Sequence, residues 1–406
     1  MGRRCDRRPN EHWTIATRRE QTMSKQTGKG IGRLLLRIGL VLTFGVIAAL
    51  AFVKFEYGRG TLYSDIGSAN PGGLGKLEKL VSLEYPPGNV AVAPNGHVYF
   101  NYHPIARAGR FSDATVFELA DGKITPFPSM AAQKDFQGTF GMTVDKQNRL
   151  WLIEPASFDF QHTRLWAFDL ATRQRLAYFE FPGKEAQFAQ DLRVTDDGKY
   201  VLLADTGIMR FTGPKLIVFS VQDQTFRTAL GAHPCTSPED WLMQTPFGVY
   251  RMAGGLVNVA VGLDGIEISP DQKWVYLAGM TNSHLCRVPL SDVLDANIGP
   301  SEVAKKVEVL GAKPMSDGIT IDKSGEVILT DVEHGGLMAF DPQSKSVTTL
   351  VRLHDVIWAD GVATGPDGSL YFTDSALSAY IGQLAGPPDK ALLAAHQPYF
   401  LYRVKH

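Results

Sequence analysis

The sequence predicts an all-β fold, a six-bladed β-propeller, preceded by one N-terminal transmembrane or signal helix. Three observations predict it. A unit made of a small-residue pair, two short apolar strands and a polar turn between them recurs six times. Gly, Asn and Asp fall at matching turn positions in every copy. One long apolar run near the N-terminus follows a basic stretch.

The N-terminal part comes first. Residues 1–33 hold nine Lys or Arg against Asp6, Glu11 and Glu20, and read as a basic cytoplasmic segment. Residues 34–53 are a hydrophobic run whose one charge is Arg37. A helix of about 20 residues spans about 30 Å, the thickness of a hydrocarbon core, and Arg37 near its start can reach the headgroups. Basic residues before the run and few after it place the N-terminus inside and the bulk of the chain in the periplasm or outside. Two fates stay open. The run is a retained anchor, the preferred reading, or the apolar region of a cleaved signal peptide, for which Ala49-Leu50-Ala51 fits the small-x-small pattern. Met23 offers an alternative start, with Lys25, Lys29 and Arg33 as its basic region. Residues 54–75, rich in Gly, Ser and Asn, read as a linker.

Residues 76–406 form the propeller. The six copies open at Gly88, Phe140, Asp191, Asp264, Asp317 and Asp360. They lie roughly 43 to 53 residues apart, with one interval of about 73, and such periods suit four short strands each. Runs such as 165–168, 216–219 and 337–340 are third-strand candidates. The last copy is one strand short before the chain stops, and Leu77 to Leu83 is apolar enough to supply it, closing the ring. The long interval holds an insertion over 233–255 with Pro234, Pro238, Trp241, Met243, Phe247, Tyr250 and Met252, which reads as a flap over one face. Cys235 and Cys286 are the cysteines of the exported part. They form a disulfide in one reading and stay free thiols in the other.

The first position of each copy precedes an innermost strand, so the six positions should ring one mouth of the central channel. Four of them are aspartates. Carboxylates brought together need a cation, raised pKa values or backbone N–H partners. Ca²⁺ or another divalent cation is one candidate, with Asp264 and Asp317 as ligands; Asp side chains that merely cap turns are the other. Asp264, Asp317 and Asp360 are the candidate catalytic groups, and Phe140, Asp191, Trp241, Phe247 and Tyr250 the candidate ligand-binding residues. A second polar set ends the second strands, Asn101, Glu154, Asp205, Asp331 and Asp374, and reads as structural. The net charge of −1, from 41 basic and 42 acidic residues, leaves no footprint for nucleic acid. No phosphate-cradling loop or nucleophile elbow is present.

The runs FGMTVDKQNRLWLIE (140–154), LWAFDLATRQRLAYFEFP (165–182), KLIVFSVQDQTFRTAL (215–230) and GIEISPDQKWVYLAGMTNSHLCRVPLSDV (265–293), with SDGITID (316–322), resemble the yellow/major royal jelly protein family. The resemblance implies a secreted six-bladed propeller; some members are linked to dopachrome conversion, others bind biogenic amines. The Asp-Gly copies also resemble regucalcin/gluconolactonase propellers, where Glu, Asn and Asp hold a divalent cation. Asp317 stands where that group has its Asp and Asp264 where it has an Asn, but the Glu position falls at or beside Gly88. The expected function is therefore binding, with isomerisation, of a small aromatic compound of catecholamine or dopachrome-like type at the channel mouth. A divalent-metal-dependent lactonase and a non-catalytic scaffold are the alternatives.

Overall fold

Each copy of the repeat folds into one four-stranded antiparallel sheet, and among the described residues there are six such sheets. The computed structural model describes residues 2, 12–68, 77–106, 112–156, 162–207, 209–246, 248–381 and 395–405, with the side chains of 12–32, 380 and 381 excepted. The blades span residues 87–126, 142–180, 189–230, 263–312, 319–352 and, for the sixth, 359–404 together with Leu77–Leu83. The sixth sheet runs Leu77–Leu83, Tyr399–Val404, Leu370–Asp374, Ala359–Thr364 from rim to centre. Its register pairs Leu77 with Val404 and Leu83 with Tyr399. The ring thus closes with the strand expected to close it, and Glu78 fixes the seam by pairing with Arg403 and Lys405.

The second strands are nearly continuous apolar runs, as in Tyr200–Asp205 and Val327–Asp331, because both of their faces are covered by neighbouring blades. Each blade-to-blade interface has its own apolar cluster. Leu202, Val218, Ile266 and Leu277 join the third and fourth blades, and Ile328, Leu337, Val362 and Phe372 the fifth and sixth. The third strands fall where expected, at Arg164–Asp169, Lys215–Ser220 and Gly336–Asp341.

The glycine after the first position of the repeat has a different purpose from a turn glycine. Gly141, Gly265, Gly318 and Gly361 are not among the positive-φ residues. Each instead faces the next blade's chain: a Cβ on Gly318 would lie 2.3 Å from Asp360 O, and one on Gly141 2.4 Å from Gln190 O. The inner strands are packed backbone to backbone around the axis. Gly318→Ala is expected to cost about 1–3 kcal/mol through forced separation of two blades. Calorimetry checks this, and an unchanged melting temperature would mean that the ring widens freely.

The N-terminal unit is a helix, His12–Tyr57, whose stretch Arg33–Tyr57 has mean hydropathy 2.4 and is long and apolar enough to cross a membrane. Its Leu34, Leu35, Phe44 and Phe52 are exposed. The linker expectation for 54–75 needs a correction. Thr61–Leu62 pairs in parallel with Trp241–Leu242, and Asp65 is bound to Arg352, so residues 59–68 are built into the propeller domain. Gly- and Ser-rich composition hid the few side chains that anchor this stretch.

Candidate ligand cavity at the channel mouth

The six first positions of the repeat meet at one cavity of about 210 Å³. Gly88, Phe140, Asp191, Asp264, Asp317 and Asp360 all line it, because each sits where an innermost strand begins. The insertion between the third and fourth blades adds Tyr250, Val259 and Val261, and Ile105, Met209, Met280 and Leu377 complete a largely apolar wall.

The four aspartates differ in their partners. Asp191 accepts from Leu192 N–H (2.8 Å) and pairs with Arg193 at 2.7 Å; Arg193 also binds Glu267 at 2.8 Å and Ile319 O at 2.7 Å. Asp191 therefore has a countercharge, and its role is in part to hold the inner strands. Asp317 accepts from Trp358 Nε1–H at 2.6 Å. Burial pushes Asp317 up to about 7, against the pull of that indole and with a further push from Asp191. Burial also holds Asp264 well above the usual carboxylate range, with Asp317, Asp360 and Asp191 adding repulsion. Asp360 is raised in the same way, by burial first and Asp317 second. Lys313, wholly buried, donates Nζ–H to Pro314 O at 2.9 Å, and burial pulls it down to about 7, so it supplies only part of a positive charge near Asp264 at neutral pH.

Three buried polar atoms of cavity residues have no hydrogen-bond partner: Asp264 Oδ2, Asp360 Oδ2 and Tyr250 Oη. Such atoms are costly unless a ligand satisfies them. Beside Asp360 stands His103, which directly follows the second strand of the first blade and begins the loop after it. Its Nδ1 accepts from Ile105 N–H (3.2 Å), which leaves the proton on Nε2, and Nε2 lies 3.7 Å from Asp360 Oδ2. Burial lowers His103 to about 3, so the ring is neutral. Its ring meets Phe140 edge to face at 5.5 Å. Tyr250 packs on Trp358 at 5.3 Å, so the insertion steadies the indole that holds Asp317.

Not every expected residue reaches this place. Trp241 belongs to the insertion but turns to Tyr63, with rings 5.0 Å apart, and donates Nε1–H to Glu239 Oε2 at 2.5 Å. Phe247 lies outside the described residues. His103 is one of several loop histidines whose spacing in the sequence marks no site, and Trp358 stands two residues before a repeat position rather than on it. The second polar set binds backbone. Asp374 accepts from Ile357, Trp358 and Ala376 N–H, and Glu154 from Gln137 and Gly138 N–H. Cys235 and Cys286 form a disulfide, with Cα atoms 6.0 Å apart, that ties the insertion to the third strand of the fourth blade.

The donor set expected for a divalent cation can be compared with the residues present. The aspartates share one cavity wall, but among the described residues no group of three or more His, Cys, Asp or Glu side chains is placed to hold a metal ion. At the position of the missing Glu the space is taken: a Cβ on Gly88 would meet His103 Cδ2 at 3.1 Å and Asn101 Oδ1 at 3.2 Å. An imidazole with one nitrogen already engaged stands where a third oxygen donor would have to project. The residues present do not fit the Glu, Asn and Asp donor set.

Comparison with known proteins supports the architecture. A candidate gluconolactonase structure matches with TM-score 0.51 and 14% identity, over 86% of this chain and 97% of that one. A gluconolactonase from Xanthomonas campestris matches with TM-score 0.50 and 14% identity, over 81% and 88%. At such identity the likeness concerns the fold. No curated protein matches the chain. The family model described as Major royal jelly protein matches residues 137–372, which run from the second blade into the sixth. More than half of the chain is covered by that match, and the chain belongs to the major royal jelly protein family.

Proposed function

We propose that the cavity binds a small aromatic compound carrying an amine, of catecholamine or dopachrome-like type, and moves a proton between two of its atoms. The observation that carries this reading is the set of three partnerless polar atoms, Asp264 Oδ2, Asp360 Oδ2 and Tyr250 Oη, on the wall of an apolar and aromatic cavity. A cationic amine satisfies the carboxyls, and a flat ring meets Phe140, Tyr250 and Trp358. At about 210 Å³ the cavity is below the roughly 300–1,000 Å³ of drug-sized sites, which suits a molecule of one or two rings.

The two carboxyl types divide the work. Asp317, ionised in about half of the molecules near pH 7, takes a proton from a carbon or nitrogen of the ligand. Asp360, raised above the usual carboxylate range by burial and by Asp317, gives one to a ligand oxygen. One C–H or N–H bond is broken and one O–H bond formed on the ligand. No electrons leave, and exchange with solvent resets both carboxyls. The Nε2–H of His103 faces the carboxylate left on Asp360.

The N-terminal helix supports placing the propeller outside a membrane, held by Arg33–Tyr57 or released when that segment is cut. The Cys235–Cys286 bond agrees with an oxidising compartment.

Thermal shift tests the ligand reading. Dopamine or serotonin is expected to raise the melting temperature, by a ligand-linked stabilisation of about 2.7 kcal/mol at a hundredfold excess over Kd. Simple lactones and chelator should leave it in place. Stabilisation by lactones with Ca²⁺ and none by amines would overturn the reading.

A further inference from the structure

We propose that residues 59–68 are a strap that positions the insertion over the cavity, so that the segment directly following the apolar helix holds the site together. The insertion cannot hold itself. Among its described residues the regular structure beyond Trp241–Leu242 is two minimal ladders, Gln244–Thr245 with Gly248–Val249 and Arg251–Met252 with Val257–Asn258, and one 3-10 turn, Ala253–Gly255. Ladders of two residues are marginal in water and depend on what they pack against.

The strap supplies that support at several points. Thr61 and Leu62 extend the insertion's Trp241 and Leu242 as a parallel pair, and Thr61 N–H donates to Asp240 O at 3.1 Å. Asn258, in the far arm of the insertion, donates Nδ2–H to Arg59 O at 2.7 Å. Gly60 is the residue that permits this approach, since a Cβ there would lie 2.8 Å from Asp240 O. Tyr63 lays its ring against Trp241 and sends its hydroxyl to Lys313 O at 3.0 Å. It packs against the same apolar cluster that contains Tyr250 and Trp358.

The other end of the strap is fixed to the fifth blade. Asp65 takes both arms of the Arg352 guanidinium, at 2.7 and 2.5 Å, and Ser68 N–H donates to Thr349 Oγ1 at 2.9 Å. A continuous line of contacts therefore runs from a rigid blade through the strap to the insertion. From there it passes through Tyr250 and Trp358 to Asp317.

Hydrogen exchange on the full chain tests the strap without any ligand, so it stands or falls apart from what the cavity binds. Gly60→Val, and Asp65→Asn as a milder variant, are expected to speed exchange over residues 248–259 by roughly tenfold or more. Amides of 201–204 and 216–219, in the third blade, should keep wild-type rates. Asp65→Glu, which can still reach Arg352, should restore protection. Wild-type exchange over 248–259 in both weakened variants would overturn the proposal. So would a rise spread evenly over all blades, because the segment would then support the whole fold rather than the insertion.

Discussion

Asp317→Asn is expected to raise the stability of the protein above pH 7 while removing the proposed proton transfer. Folding lifts Asp317 from 3.8 to about 7. Between those values the folded chain keeps a proton that the unfolded chain has lost, so wild-type stability falls as pH rises through this window. Above it the full cost remains, on the order of 4 kcal/mol. Asparagine carries no charge and escapes this cost, and its amide oxygen can still accept from Trp358. Calorimetry at pH 5 and pH 8 should show the variant ahead of wild type chiefly at pH 8. An equal difference at both values would mean that burial does not strain Asp317. Loss of a general base lowers turnover by about 10²–10⁴, so the same variant should be more stable and inactive. Groups held at a strained charge state for the sake of a reaction behave in this way.

Breaking the Cys235–Cys286 bond should be the largest single loss of stability. The bridge spans a sequence separation of 51, and the chain-entropy relation for a loop of that length gives roughly 4 kcal/mol. Both sulfurs lie in the cluster that joins the third and fourth blades, with Leu216, Leu230, Val288 and Val293. The double replacement Cys235→Ala with Cys286→Ala also removes packing there. Urea unfolding with and without reductant measures the effect, which appears as a lower midpoint on reduction. A midpoint indifferent to reductant would show that the bond does not constrain the chain. Because the bond ties the start of the insertion, its loss should also weaken binding at the cavity.

The ring was readable because the constraint behind it repeats. Asp-Gly recurs where inner strands crowd the axis, and the second strands are apolar on both faces, so the count of blades and the closing strand Leu77–Leu83 follow from pattern alone. The fourth strands were harder. Arg175–Glu180 and Ser346–Arg352 are half exposed, with mixed polar and apolar residues that carry no clear period. The aspartates of the cavity were found by position, but their chemistry was not. That depends on His103 and Trp358, which reach the cavity from loops, and on the partner each carboxyl finds or lacks. The strap was out of reach for the same reason: nothing local to Tyr63 or Asp65 points to Trp241 or Arg352, which lie far along the chain. Composition describes what a segment lacks and not what it docks against.

The central claim is that buried carboxyls at the channel mouth, pushed above the usual carboxylate range by burial, receive a cationic aromatic ligand. Titration calorimetry with dopamine, in buffers of different ionisation enthalpy between pH 6 and pH 8, tests it most directly. A cation entering the cavity favours the ionised form of Asp317, so binding at pH 6 should release close to one proton. That release should decline as pH rises through about 7, above which Asp317 is already mostly ionised, and should vanish with binding itself when Asp264, Asp317 and Asp360 are all replaced by Asn. Binding with no proton release at any pH, or binding that survives the triple replacement, would contradict the account.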